Sequence, residues 1–229
     1  MHTPPSYARQ TLDSSNPLAR FSHQRRYAFS LQFTSQAAKE GMRVLDYGCG
    51  EGDFLNLLSV QRPDLDLVGY DPYAKHDGAL YRKIDSVSAI NPKSIDVLTC
   101  FETLEHLNEV EISQFLANAD TLLSPQGTIV ISVPIIGGPT LVLKELNQMV
   151  LHRRRSEYSV KEFLSASVFG HPAPRPDDVK CSHKGFDFRS VPVWLQATGY
   201  KQVRQLFSPF QKLPWWSNSQ IFYVFARAE

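Results

Sequence analysis

Val44-Leu45-Asp46-Tyr47-Gly48-Cys49-Gly50-Glu51-Gly52 decides the fold, because an apolar strand runs straight into a glycine loop and then into a helical pattern. Residues 43–47 read as a short buried strand, and Phe54, Leu55, Leu57 and Leu58 repeat at helical spacing behind the loop. Glycines at such a junction let the backbone turn tightly and approach a ligand with no Cβ in the way, at a helix N-terminus. The dinucleotide fingerprint would put another glycine three residues after Gly50, where Asp53 stands instead. Glu51 and Asp53 make the loop acidic, which repels a pyrophosphate and suits a ligand carrying a cationic amino group and a sulfonium. Asp46, just ahead of the loop, is placed to stabilise that charge. Asp71 closes the next strand, where a carboxylate accepts two hydrogen bonds from a ribose diol and disfavours a 2′-phosphate.

Outward from the loop, strands and helices alternate, the signature of a mainly parallel sheet covered on both faces. A helix is expected over 18–39, stopped at Gly41, and further strands over 65–70, 79–83 and 95–100. Ile112, Phe115, Leu116, Ala119, Leu122 and Leu123 mark one face of a helix over 109–123, ended by Ser124-Pro125-Gln126-Gly127. A β-branched strand follows at 128–133. The pattern then breaks: 134–182 is rich in Gly, Pro and basic residues, with helices expected over 141–152 and 160–167. A helix over 189–198, closed by Gly199, and strands at 202–207 and 220–226 complete the chain, the last two as antiparallel neighbours. The expected fold is α/β: a Rossmann-like, seven-stranded, mostly parallel sheet with an antiparallel final strand and helices on both faces. Residues 1–16 read as a flexible N-terminus and 17–229 as one domain, with 134–182 inserted after the fifth strand as a substrate lid.

Composition narrows the setting. The 229 residues are 42% hydrophobic and 21% charged, ordinary for a soluble globular protein, and the net charge of +1 gives no global attraction to nucleic acid or an anionic membrane. Local charge is concentrated in His152-Arg153-Arg154-Arg155 and in Arg20, Arg25 and Arg26. Cys49, Cys100 and Cys181 show no CxxC pairing, which suits a reducing cytoplasm and argues against a zinc framework. There is no apolar run of about 18 residues and no signal-peptide pattern, so a cytoplasmic location without a membrane span is expected.

The glycine loop resembles motif I of the class I S-adenosylmethionine-dependent methyltransferases, and Gly69-Tyr70-Asp71 resembles their motif II. Ile95-Asp96-Val97-Leu98-Thr99-Cys100-Phe101-Glu102-Thr103-Leu104-Glu105-His106-Leu107 is similar to the fourth-strand motif, especially that of the ubiquinone-biosynthesis O-methyltransferases. Leu123 to Gly127 matches the turn before their fifth strand. The resemblance covers residues 41–134 and implies S-adenosyl-L-methionine as cofactor. It implies that Asp46, Gly48 and Gly50 line the methionine part, that Asp71 binds the ribose, and that Asp85, or Ser86 within register error, lies near the adenine amino group. Phe101 would lie against the cofactor, and Arg26, with Arg25 as alternative, would meet the methionine carboxylate. Residues 182–188 and 208–220 resemble methyltransferases associated with surface-polysaccharide biosynthesis.

Glu102 to His106 places two carboxylates and an imidazole at the carboxyl end of a central strand, where open α/β sheets bind ligands. His106 or Glu105 can act as general base toward an acceptor hydroxyl. Alternatively Glu102, Glu105 and His106 hold a divalent cation, an arrangement that resembles the metal site of small-RNA 2′-O-methyltransferases; this is the less favoured reading. A third reading has Glu105 and His106 simply beginning a helix. His183 is either a base or a hydrogen-bond partner of the substrate, and Trp215 and Trp216 either stack on a ring or pack before an edge strand. No Asn-Pro-Pro-Tyr-like motif follows the fourth strand, so oxygen is the expected accepting atom. The expected partner is a small-molecule or glycan acceptor rather than nucleic acid. A metal-assisted RNA 2′-O-methyltransferase and a non-catalytic cofactor-binding subunit are the alternatives.

Overall fold

The structure is a computed structural model that describes residues 17–73, 80–151, 155–180 and 182–228. The expected flexible N-terminus, Cys181 and most of the basic run at 152–155 lie outside the described residues. Among the described residues one sheet has the strands β1 (Arg43–Tyr47), β2 (Asp66–Tyr70), β3 (Arg82–Ile84), β4 (Ile95–Phe101), β5 (Leu123–Pro134), β6 (Tyr200–Ser208) and β7 (Gln220–Arg227). Their order is β3-β2-β1-β4-β5-β7-β6. The first five run parallel, and β7 lies antiparallel between β5 and β6. This is the expected fold class.

Side-chain alternation explains why the central strands are apolar throughout. Val44, Val97, Val130, Phe222 and Val224 point to one face. Leu45, Leu98, Ile129, Ile131 and Tyr223, each displaced by one residue, point to the other. The first face is covered by α1 (Pro17–Ala37) and α2 (Asp53–Gln61); Phe33 stacks on Phe222 with ring centroids 5.7 Å apart. The second is covered by α3 (Glu109–Leu122), through Phe115, Ala119 and Leu122, and by α6 (Ser190–Ala197), through Val191 and Leu195. A capping box between Asn108 and Glu111 starts α3.

Two boundaries differ from the sequence reading. Residues 124–127, expected as the turn between the helix and the fifth strand, lie within that strand: β5 already begins at Leu123, paired with Ile95, and resumes pairing with Thr128 opposite Val97. Pro125 and Gly127 therefore sit in a bulge inside a strand. The third strand lies over Arg82–Ile84 instead of 79–83, because its register is fixed by Val68, Gly69 and Tyr70 of β2. The 134–182 segment carries α4 (Pro139–Leu151) and α5 (Val160–Val168), which pack against one another. Strand order reverses between β1 and β4, and the crevice beyond their carboxyl ends is where a ligand is expected.

Candidate functional site

That crevice is a cleft of about 1640 Å³ bounded by the glycine loop, α1, the end of β4, α4 and the residues around His183. Its loop side is held by backbone. Gly48 and Cys49 donate their N–H groups to the Tyr70 carbonyl at 2.7 and 3.0 Å, tying the loop to β2. Gly48 has φ 82°, and a Cβ there would lie 2.5 Å from the Thr103 side chain. Gly52, with φ 80°, has room for no Cβ either, since the Tyr81 hydroxyl would be 1.9 Å away.

Asp71 reaches back into the loop. Its Oδ2 accepts from the Gly50 N–H at 3.0 Å and its Oδ1 from the Tyr73 N–H at 2.8 Å, so the strand end and the loop turn as one unit. Asp46 is buried, and Thr99 Oγ1 donates to its Oδ1 at 2.7 Å. Burial, only partly offset by that hydrogen bond, lifts its carboxyl to about 7. Phe101 sits edge-on to Phe54 at 4.8 Å and lines the cleft. Arg26 is buried with its Nη1 3.7 Å from Glu102 Oε2, and it lines the cleft; Arg25 instead lies over the Phe29 ring at 4.6 Å.

Asp85 lies apart from these residues. It is not among the residues lining the cleft: its side chain is 84% exposed and pairs with Lys83 at 3.2 Å. β3 ends at Ile84, so the next side chain turns outward to solvent. Ser86, its alternative, accepts from the Ser88 N–H and caps a short 3₁₀ turn.

At the opposite end of the cleft, side chains from distant segments meet. His106 Nε2 and His183 Nε2 are 3.0 Å apart, with ring centroids at 4.6 Å. Burial holds His106 below its ordinary value and brings His183 to about 4, the latter helped by the His106 and Lys144 charges. Both shifts favour the neutral imidazole. Glu105 is fully buried, and neither carboxylate oxygen has a partner among the described residues; burial, with the Glu102 charge, pushes its carboxyl well up. Glu102 faces elsewhere. Its φ is 50°, Ser132 Oγ donates to its Oε1 at 3.0 Å, and its other oxygen turns to Arg26.

The expected metal set is thus rearranged. Glu105, His106 and His183 each offer a ligand atom within 4.8 Å of the others, whereas Glu102 is engaged with Arg26 and Ser132. A carboxylate and two imidazole nitrogens suit a divalent cation chemically. The sequence reading missed His23 and Lys144, which also line the cleft. His23 precedes Arg26 by one helical turn on α1, and burial beside Arg26 lowers it to about 4. Lys144 Nζ donates to the Ile135 carbonyl at 3.2 Å, and burial lowers its pKa. Trp215 packs against Phe188 at 6.0 Å and lies close to Gly138 and Gly170, which is a structural role.

A family described as a methyltransferase domain matches residues 20–205. The chain is similar to the carboxy-S-adenosyl-L-methionine synthase of Campylobacter hominis, 25% identical over 202 residues that cover 83% of this chain and 80% of that protein. It is also similar to a ubiquinone biosynthesis O-methyltransferase of Rhodopseudomonas palustris, 30% identical over 117 residues. That match covers 45% of this chain and 44% of the relative, so the chain spans less than half of that relative's length. A solved 1,6-didemethyltoxoflavin-N1-methyltransferase of Burkholderia thailandensis, with bound S-adenosylhomocysteine, superposes with a TM-score of 0.60 over 97% of this chain and 86% of its own. At 15% identity, that likeness is one of fold.

Proposed function

The chain belongs to the methyltransferase-domain family and is an S-adenosylmethionine-dependent methyltransferase; from that premise we propose that it methylates an oxygen of a small-molecule or glycan acceptor, with the His106–His183 pair receiving the proton. The observation that carries this reading is the 3.0 Å contact between two imidazoles in the same cleft as the glycine loop. S-adenosylmethionine supplies an electrophilic methyl group on a sulfonium. With it bound, the acceptor oxygen would take that methyl as the carbon–sulfur bond gave its electron pair to sulfur, and the hydroxyl proton would pass to an imidazole nitrogen of His106 or His183. No protein nucleophile is needed, so the chain's task is alignment and proton removal. Asp46, Gly48, Gly50, Asp71 and Phe101 hold the cofactor, Arg26 meets its carboxylate, and Leu141 and Lys144 of α4 wall the acceptor side. Glu105, buried and unpartnered, is a hydrogen-bonding group for the acceptor.

A second reading rests on the convergence of Glu105, His106 and His183. A divalent cation held by these three would lower the pKa of an acceptor hydroxyl, with or without an RNA 2′-hydroxyl as that group. One experiment addresses both. S-adenosylhomocysteine release is measured with panels of hydroxylated and amine acceptors, before and after chelation. Turnover on hydroxyl acceptors that survives chelation supports the base reading. Loss restored by magnesium supports the metal reading, and turnover confined to amines overturns the oxygen assignment.

A further inference from the structure

β7 begins at the carboxyl edge of the sheet, where Gln220 is paired with Pro134 of β5 on one side and with Ser208 of β6 on the other. Side chains alternate along a strand, so Gln220 shares its face with Phe222, which packs against Phe29 and Phe33 of α1. An apolar residue would suit that position. Gln220 instead places an amide there that is 7% exposed, and its Oε1 is buried without a hydrogen-bond partner among the described residues. Leaving such a group unpaired costs stability. Gln220 lines the cleft, so a ligand there can supply the missing donor. The imidazole pair is built from the other side: Phe186 and Phe188, just beyond His183, pack into the core cluster of Leu45 and Ile129.

An aromatic wall stands beside the amide. The connection from β6 to β7 is tied together by the fully buried Asn218, whose Oδ1 accepts from the Phe210 N–H at 2.7 Å. Its Nδ2 donates to the Leu213 and Pro214 carbonyls at 3.2 and 3.0 Å. The Ser219 N–H closes the loop on the Ser208 carbonyl at 3.0 Å. Phe210 is thereby fixed in the wall of the cleft while 44% exposed, its ring centroid 6.4 Å from that of Phe21 on α1, itself 41% exposed. An anchored, half-exposed aromatic ring accepts the apolar face of a ligand ring, and an amide next to it accepts from a hydroxyl on that ring's edge. We propose that Gln220 and Phe210 form a subsite for a hydroxylated ring, in a part of the acceptor that does not itself react. A sugar and a phenol share that chemistry. The assignment deepens the methyl-transfer reading and rests on it for taking the ring to be part of the acceptor, but the ring binds without turnover.

The test is ligand-observed saturation-transfer NMR on the full chain saturated with S-adenosylhomocysteine. One arm uses a panel of methyl hexopyranosides with tetrahydropyran as the deoxygenated counterpart, and the other uses para-cresol with toluene. Binding of the hydroxylated ring is expected in at least one arm, and the arm names the source. Phe210→Ala should weaken the hydroxylated ring and its counterpart alike, by about fivefold or more. Gln220→Met, of similar shape, should weaken the hydroxylated ring by about tenfold and leave the counterpart unchanged, a split that a merely loosened loop would not produce. Cooperative thermal unfolding reports that the variants fold; Phe210 is half-exposed, so its removal decides the test should Gln220→Met not fold. No hydroxylated ring bound in either arm, or equal binding by the folded variants, overturns the proposal. A fall in S-adenosylhomocysteine affinity in folded Gln220→Met, with ring binding unchanged, assigns the amide to the cofactor and overturns it too. Ring binding lost in the variants, with no hydroxyl acceptor ever methylated, supports the subsite while overturning the oxygen reading.

Discussion

The two ends of the cleft are built on different principles. On the cofactor side the groups that define the site are satisfied within the protein: Asp71 accepts two backbone N–H groups, Asp46 accepts from Thr99, and the loop hangs from the Tyr70 carbonyl. On the acceptor side they are not. Both Glu105 oxygens are buried without hydrogen-bond partners among the described residues. Buried polar groups are normally paired, so a carboxyl left unpaired points to a ligand that completes it. Under the proposed function, a pre-formed cofactor cradle faces an acceptor end that is completed on binding.

If that contrast is right, the cradle is broken by backbone changes and the acceptor end by side-chain changes. The largest effect is expected from Gly52→Ala. The new methyl would lie 1.9 Å from the Tyr81 hydroxyl and 2.5 Å from its ring, and Tyr81 is itself buried. A φ of 80° adds strain of about 1–3 kcal/mol for a residue with a Cβ. S-adenosylhomocysteine binding should become undetectable by calorimetry; affinity within a few-fold of the native chain would show that this loop is not the cradle.

Second in size, His106→Ala and His183→Ala should each lower kcat by about 10²–10³-fold with S-adenosylhomocysteine affinity unchanged, the signature of general-base loss. Because the two rings share one contact, the double variant should cost little more than either single one. Full additivity would mean that they act separately.

The same contrast governs what could be read from the residues alone. The proposed cradle is compact in sequence: Asp46, the three glycines and Asp71 all fall within 46–71, and the glycines are picked out by what the backbone must do there. The acceptor end joins positions far apart in sequence; His106 and His183 are 77 residues apart, and no local pattern announces that contact. Lys144 on α4 reads like any surface lysine until burial removes its solvent. Glu102 reads as a ligand beside Glu105, yet its positive φ turns it to Ser132 and Arg26. Asp85 stands apart for a smaller reason: a strand end fixes where the backbone stops, but not where the next side chain points.

Third, Asp71→Asn keeps the shape but offers only one acceptor oxygen to two backbone donors, at Gly50 and Tyr73. One donor then faces an amide NH₂, and the ribose loses a charged acceptor. Affinity for S-adenosylhomocysteine should fall by about ten- to thirtyfold, in the range of a lost hydrogen bond to a charged group. A change under twofold would mean that Asp71 serves the loop alone.

The smallest effect probes Asp46. Its carboxyl titrates near 7 in the protein and 3.8 as the ordinary value, so the folded free chain holds an extra proton between those limits. That proton contributes stability fully present below the lower value and lost as pH rises through about 7. A cationic amino group in the cleft favours the ionised form and reverses the preference. Cofactor affinity should therefore climb severalfold from mildly acidic pH to about 7, gain at most about twofold beyond it, and release a proton on binding at the acidic end. Asp46→Asn should flatten the profile at the weaker, acidic level. A native profile flat across this range would place the cationic group away from Asp46 and leave Arg26 and Asp71 to position the cofactor.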